Sequence, residues 1–106
     1  MNSVDLAHAY YDAIDAGDYE ALRDVLAPDF THVRPDRTLA GREEFVSFMR
    51  DDRPQTDTKH VVDSVTEGVD GAVAHGHLFA PEEVMFAFVD VFETDERIER
   101  LRTYAD

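Results

Sequence analysis

Residues 84–92, VMFAFVDVF, are the most informative segment for the fold, because they predict a strand that is apolar on both faces. Side chains alternate across a strand, so Phe86 and Phe88 share one face while Met85 and Val89 share the other. Strands buried on both sides have this composition. If helices cover one face of the sheet, the other face must also be enclosed, either by curvature around a pocket or by a second copy of the chain.

Asp90 interrupts the phenylalanine face of this strand. A lone carboxylate in such a place is costly unless it is paired, hydrogen-bonded or protonated. Asp90 is therefore a candidate catalytic residue, as an acid kept neutral by its apolar surroundings. The alternative is that it only accepts hydrogen bonds that hold the fold, because a structural network perturbs a carboxyl group equally.

Further strands surround this segment. The predicted strands are 29–33, 56–67, 72–80, 84–94 and 98–104. Short turns at 68–71, 81–82 and 95–96 favour an antiparallel meander for the last four. The first strand leads into the polar loop 34–38.

Three helices are expected before the meander. Their boundary residues are Ser3 and Gly17 for the first helix, Asp18 and Pro28 for the second, and Gly41 and Pro54 for the third. Helices followed by consecutive strands predict an α+β domain, with helices covering one face of an antiparallel sheet. A length of 106 residues predicts one domain over 1–106.

Composition argues against several classes of function. The 24 acidic and 10 basic residues give a net charge of −14, so we expect neither a nucleic-acid nor a membrane partner. The absence of a long apolar run and of a signal-peptide pattern predicts a cytoplasmic location. Without cysteine there is no disulfide and no thiol nucleophile. The acids are spread along the chain, which favours a halophilic source over attraction of a basic partner.

An ordered set of motifs carries a resemblance to a known family. In chain order they are 10–22 (YYDAIDAGDYEAL), 26–30 (LAPDF), 41–45 (GREEF), 88–92 (FVDVF), 97–98 (RI) and 104–106 (YAD). Together they resemble the SnoaL-like and ketosteroid-isomerase-like proteins of the nuclear transport factor 2-like superfamily. The resemblance implies a cone-shaped barrel with an internal pocket, in which three N-terminal helices pack on a strongly curved antiparallel sheet. It also implies a homodimer formed through the sheet.

The same resemblance implies an oxyanion hole. In ketosteroid isomerases a tyrosine of the first helix and a protonated aspartate of the second-last strand form it, and these fall on Tyr10 and Asp90. The position of the general base falls on Arg34, which cannot remove a proton from carbon at neutral pH. Shifting the loop would place Asp36 there instead. Alternatively, Tyr10 is a core tyrosine whose hydroxyl bonds to a neighbouring residue.

Histidines are the other candidate bases near neutral pH. His75 and His77 share a strand face with Val73 and Phe79, which predicts that this face is buried or lines the pocket. Alternatively, it is the outer or dimer-facing side. His32, in the first strand, is the third candidate. Metal binding by these three histidines is a further alternative, but no metal and no cofactor are expected.

The residues predicted to bind substrate are Phe79, Phe86 and Phe88, with Arg34 for an anionic group. We therefore expect a protein that binds an apolar small molecule, with the protein acting as a proton-transfer enzyme of the isomerase, cyclase or dehydratase type on a carbonyl compound. The alternative is a non-catalytic homodimeric interaction or regulatory module of the same fold, because this fold hosts many functions.

Overall fold

The computed structural model describes residues 1–53 and 55–105, so the expectations placed on Pro54 and Asp106 lie outside the described residues. In chain order the elements are α1 (Ser3–Ala16), α2 (Tyr19–Val25), β1 (Leu26–Val33), β2 (Thr38–Ala40), α3 (Arg42–Ser47), a π-helical turn (Phe48–Asp52), β3 (Lys59–Glu67), β4 (Gly71–Ala80), β5 (Glu83–Thr94) and β6 (Ile98–Ala105). Among the described residues, no helix is long and apolar enough to cross a membrane.

Side-chain caps fix the ends of the first two helices. Asn2, rather than Ser3, caps α1 by accepting a hydrogen bond from the backbone of Asp5. The hydroxyl of Ser3 donates instead to the carbonyl of Gly71, 3.0 Å away, and ties the start of α1 to β4. Gly17 ends α1 in the left-handed conformation at φ 67°, as its sequence position predicts.

The third helix does not end as a regular α-helix. It continues into the π-helical turn, where the backbone N–H of Arg53 donates to the carbonyl of Phe48 over 3.0 Å. In an α-helix that N–H would donate to Met49 instead. The turn therefore leaves the Met49 carbonyl available for side chains.

The sheet has six strands in the order β2-β1-β6-β5-β4-β3. All neighbours are antiparallel except β1 and β6, which run parallel, so the sheet is mixed rather than wholly antiparallel. The meander from β3 to β6 alternates direction and brings β6 beside β1 in the same direction. Within the described ranges β2 and β3 form free edges, so the curved sheet remains open.

Several boundaries differ from the sequence prediction by a few residues, and the differences around β1 and β2 affect the topology. The helix α2 ends at Val25, before Pro28, because Leu26 already has extended backbone and begins β1. The end of the predicted polar loop forms β2, which pairs with β1. Local composition does not reveal β2, because only one of its three side chains, that of Leu39, is buried.

The core lies between the helices and the concave face of the sheet. From β5 it receives Phe88 and Phe92, which flank the buried Asp90. From the helices it receives, among others, Tyr10, Tyr11, Ile14 and Phe45. The predicted class is confirmed: three helices pack on one face of a curved sheet in an α+β fold. Alternation then directs Phe88, Asp90 and Phe92 inward and Val89 outward.

Candidate functional site

A cavity of about 270 Å³ opens between the helices and the concave face of the sheet. Apolar side chains form most of its wall, including Phe86 and Phe88 of β5 and Leu78 of β4. Its ionisable residues are Tyr10, His32, Arg34, Arg53, His60 and Asp90. An apolar wall with a few polar groups is typical of a small-molecule site.

Asp90 lies in the wall of this cavity with both carboxylate oxygens hydrogen-bonded. The hydroxyl of Tyr11 donates to Oδ2 and that of Thr103 donates to Oδ1, each over 2.6 Å. Burial raises the pKa of Asp90, while the hydrogen bonds from Thr103 and Tyr11 act against that rise. Because burial prevails, Asp90 takes up a proton more readily than an exposed aspartate.

His32 extends this hydrogen-bonded chain. Its Nε2 lies 2.8 Å from the Thr103 hydroxyl oxygen. Because that hydroxyl gives its single proton to Asp90, it accepts from Nε2–H of His32. Burial lowers the pKa of His32 to about 3, and the charge of Arg34 acts in the same direction. His32 is therefore neutral near pH 7, and its Nδ1 is buried without a hydrogen-bond partner among the described residues.

His60, at the start of β3, forms a second pair at the cavity. Its Nδ1 lies 2.6 Å from Oδ1 of Asp15, and its backbone N–H donates to Oδ2 of the same side chain over 2.9 Å. The ring contacts Tyr11 and Phe88, with centroid separations of 4.9 and 5.6 Å. An Nδ1–H bonded to a carboxylate leaves the lone pair on Nε2, which has no hydrogen-bond partner among the described residues.

Tyr10 also lines the cavity, but Tyr11 is the tyrosine that bonds to Asp90. The Tyr10 ring stacks on Phe45 and meets Phe92 edge to face. Burial raises the pKa of Tyr10, and the charge of Asp90 adds to the rise. Its hydroxyl stays protonated and makes no hydrogen bond to another described residue, so it is available as a donor to a ligand.

Arg34 and Arg53 line the same cavity. Arg34 follows β1 directly, lies over the Phe48 ring and is 3.4 Å from Asp36. Arg53 follows the π-helical turn, and its Nε donates to the free Met49 carbonyl over 2.8 Å. Asp36 is exposed and is absent from the cavity wall, so the structure does not place it as a base.

Other predicted residues lie elsewhere. His75, His77 and Phe79 do not line the cavity, and both histidines are exposed on the outer face of β4. The expectation that this face lines the pocket is wrong. The inner face carries small residues, including Ala72 and Ala74, because α1 packs directly over it. Phe86 and Phe88 do line the cavity, where the substrate-binding hypothesis placed them.

The structure does not bring the three histidines of the metal hypothesis together. His32 is buried on the concave side, whereas His75 and His77 project from the outer face. Within residues 1–53 and 55–105, no three His, Cys, Asp or Glu side chains cluster in a way that would hold a metal ion. The metal hypothesis therefore has no geometric support in the described part of the chain.

Sequence reasoning missed Tyr11, Thr103, His60, Asp15 and Arg53. Tyr11 stands beside the predicted tyrosine, but the rotation of the helix selects it as the partner of Asp90. Thr103 lies opposite Asp90 in the register of β5 and β6, but that register shifts beside the turn, at Glu93 and Thr94, so the turn position alone does not predict the pair. The pairing of His60 with Asp15 joins residues 45 positions apart, and no local pattern announces it.

Comparison with known proteins identifies the fold. A family model described as the SnoaL-like domain matches residues 7–101. A search of curated proteins finds no significant match. An NTF2-like protein of unknown function from Cytophaga hutchinsonii is similar, with a TM-score of 0.86 at 19% identity over 100% of this chain and 91% of that one.

Two further solved structures have other names. A protein provisionally named a ketosteroid isomerase, from Kribbella flavida, has a TM-score of 0.85 at 21% identity and covers 96% of this chain and 76% of its own. An LEH-like epoxide hydrolase of M. tuberculosis has a TM-score of 0.84 at 16% identity, with coverages of 98% and 78%. At these identities the likeness shows the fold alone.

Proposed function

The chain belongs to the SnoaL-like domain family, and on that premise we propose that it binds an apolar carbonyl compound in its cavity and catalyses proton transfer next to the carbonyl group. The observation that carries this proposal is the combination of groups around one cavity. His60 offers a ring nitrogen that has no hydrogen-bond partner in residues 1–53 and 55–105, and Tyr10 and Asp90 offer hydroxyl or carboxyl protons.

His60 is the base in this proposal. Asp15 accepts the Nδ1 hydrogen, which fixes the ring orientation and the tautomer and stabilises the imidazolium that forms. The Nε2 lone pair takes a proton from the carbon next to the carbonyl group. Returning the same proton to another carbon gives an isomerisation and leaves the protein unchanged.

Tyr10 and Asp90 are the groups that stabilise the developing oxyanion. The Tyr10 hydroxyl is free to donate. A protonated Asp90 carries its hydrogen at an oxygen position that Tyr11 and Thr103 leave unoccupied, and it can donate that O–H. Donors held in place before the reaction lower the barrier because they need no reorganisation. The apolar wall of Phe86 and Phe88 keeps water away from the carbonyl oxygen.

Exchange of α-protons for deuterium tests the proposal without knowledge of the natural substrate. We expect the chain to accelerate exchange in the apolar ketones benzylacetone and beta-tetralone in D2O, as followed by proton NMR. The Tyr10→Phe variant should lower the accelerated rate by about 10²–10³-fold, because it removes one oxyanion donor.

Tyr104→Phe is the matched control, because Tyr104 lies on the outer face of the sheet, does not line this cavity and keeps its ring in the variant. It should leave the exchange rate unchanged. If no ketone in a broad panel exchanges faster with the protein than with buffer, the catalytic proposal fails.

The outer face of the sheet favours a second property, pairing of two copies. The exposed fractions of four apolar side chains there are 48% for Val61, 42% for Val73, 40% for Val89 and 54% for Tyr104. Val89 lies opposite Tyr104 in register, and Val91, two residues along the same face, lies opposite Val73, so the apolar patch continues across three strands. Contiguous apolar surface of this kind marks interaction sites. We propose a homodimer through this face, which is also the surface that a non-catalytic interaction module would use.

We expect Val89→Asp to convert a dimer into a monomer in light scattering coupled to gel filtration, because it places two charges in a desolvated contact. Val69→Asp is the matched control, since Val69 is fully exposed in the turn before β4 and should leave the dimer intact. A wild-type chain that is monomeric at micromolar concentration would contradict the pairing.

A further inference from the structure

The charge of the cavity is opposite to that of the whole chain. The protein has a net charge of −14, yet Arg34 and Arg53 line the cavity with only one carboxylate, that of Asp90, among the described residues of its wall. Since burial raises the pKa of Asp90, its charge compensates the two guanidinium groups less than an exposed carboxylate would. A chain this acidic repels anions at long range, so any preference for an anion has to come from these local groups.

Arg53 is the less compensated of the two. Its Nε donates to the Met49 carbonyl over 2.8 Å, and one terminal nitrogen lies 3.4 Å from the Tyr19 hydroxyl. Neither partner is charged, and no ion pair joins Arg53 to a carboxylate among the described residues. A guanidinium has five N–H donors, so donors remain for a ligand.

Asp36 competes only weakly with a ligand for the guanidinium of Arg34. Arg34 lies 3.4 Å from Asp36, whose side chain is 55% exposed, and exposed ion pairs contribute little. Its guanidinium is held over the Phe48 ring at 5.5 Å. Both arginines are also near enough to Tyr10 to act on the pKa of its hydroxyl, which places them around the same part of the cavity.

We propose that the ligand of this cavity is an amphipathic carboxylic acid whose carboxylate is bound by Arg34 and Arg53. The apolar body lies along Phe86, Phe88 and Leu78. This inference rests on the proposed function for the reacting end only: the substrate is then an oxo acid, with its carbonyl group at Tyr10, Asp90 and His60. Arg53 is a substrate-binding residue that no sequence motif indicates.

Two isosteric probes test the inference by binding alone. Naphthylacetate carries the carboxylate, and naphthylacetamide has nearly the same shape without the charge. Naphthalene fluorescence follows both titrations at neutral pH. We expect the carboxylate to bind at least about tenfold more tightly than the amide, because charge-assisted hydrogen bonds exceed neutral ones.

Arginine variants localise the effect. Arg34→Gln and Arg53→Gln should each weaken binding of naphthylacetate by about five- to tenfold and leave that of naphthylacetamide unchanged. Arg50→Gln is the matched control: it removes the same charge one residue after Met49, but Arg50 is paired with Asp51 and does not line the cavity. It should change neither affinity.

Equal affinities for the two probes, no binding of naphthylacetate, or an unchanged affinity in Arg53→Gln would each overturn the inference. Failure of the proposed function has a different signature. If the chain prefers the carboxylate through its arginines but exchanges no ketone, the carboxylate-binding inference stands and the catalytic proposal fails. If the chain exchanges ketones without preferring the carboxylate, the catalytic proposal stands and the carboxylate-binding inference fails.

Discussion

Replacing His60 with alanine is expected to slow enzymatic α-proton exchange by about 10²–10⁴-fold, the range that a positioned general base contributes. The side chain is the histidine in the cavity whose Nε2 is free of protein partners in the described ranges, and Asp15 fixes its tautomer at 2.6 Å. His32 cannot substitute for it, because its pKa of about 3 makes it too weak a base and its Nε2 bonds to Thr103.

Two observations separate a base from a structural histidine. Added imidazole should restore part of the lost exchange rate in His60→Ala, because it can enter the space left by the ring. His75→Ala, on the exposed outer face, should exchange ketones at the wild-type rate. A folded His60→Ala protein that exchanges as fast as the wild type would remove His60 from the mechanism.

The second large effect concerns acid stability and His32. The pKa of this side chain is about 3 in the folded chain, against about 6.5 when unfolded. Between these values the unfolded chain binds more protons, so the stabilisation is present above about pH 6.5 and is lost as the pH falls towards 3. Each pH unit within this window costs about 1.4 kcal/mol, and the whole window costs on the order of 4 to 5 kcal/mol.

We expect His32→Phe to lose less stability on acidification than the wild type. Between about pH 7 and pH 4 the difference between the two free energies of unfolding should change by roughly 3 kcal/mol in favour of the variant. Urea denaturation at the two pH values measures it. Subtracting one protein from the other removes the contribution of the carboxylates, which both share.

The contribution of Asp90 to stability changes with pH in the opposite direction, and Asp90 is present in both proteins. Because its folded pKa is raised, its contribution is present at acidic pH and is lost as the pH rises through that value.

His8→Gln, an exposed substitution on α1, is the control for His32→Phe and should follow the wild-type pH dependence. Parallel pH dependences of His32→Phe and the wild type would show that His32 titrates normally in the folded chain.

Much of the fold can be predicted from sequence, because buried faces of helices and strands require apolar residues at regular spacing. The alternation in β5 correctly directs Phe88, Asp90 and Phe92 inward. The caps at Gly17 and Asp18 reflect local backbone requirements, which short segments encode. The parallel pairing of β1 with β6 has no such trace, because it depends on how the chain returns after some seventy residues.

The site is less predictable for the same reason. Asp90 stands out because a carboxylate is rare on a phenylalanine face. The tyrosine that bonds to it, Tyr11, directly follows the predicted Tyr10. Val73 and Phe79 wrongly predict burial of the face that carries His75 and His77. On β4 the buried side consists mostly of small residues such as Ala72 and Ala74, because a helix lies directly over it, so the larger apolar side chains indicate the wrong face.

The π-helical turn has a consequence for comparing this chain with its relatives. Arg53 reaches the cavity because its N–H donates to Phe48 and leaves the Met49 carbonyl to hold its side chain. The guanidinium charge therefore reaches the cavity because of the number of residues between Phe48 and Arg53, and an arginine at the end of the segment would not by itself be enough. A relative with one residue fewer there would turn the following side chain by about 100°. Aligning the arginines would then transfer a ligand preference that the relative does not have.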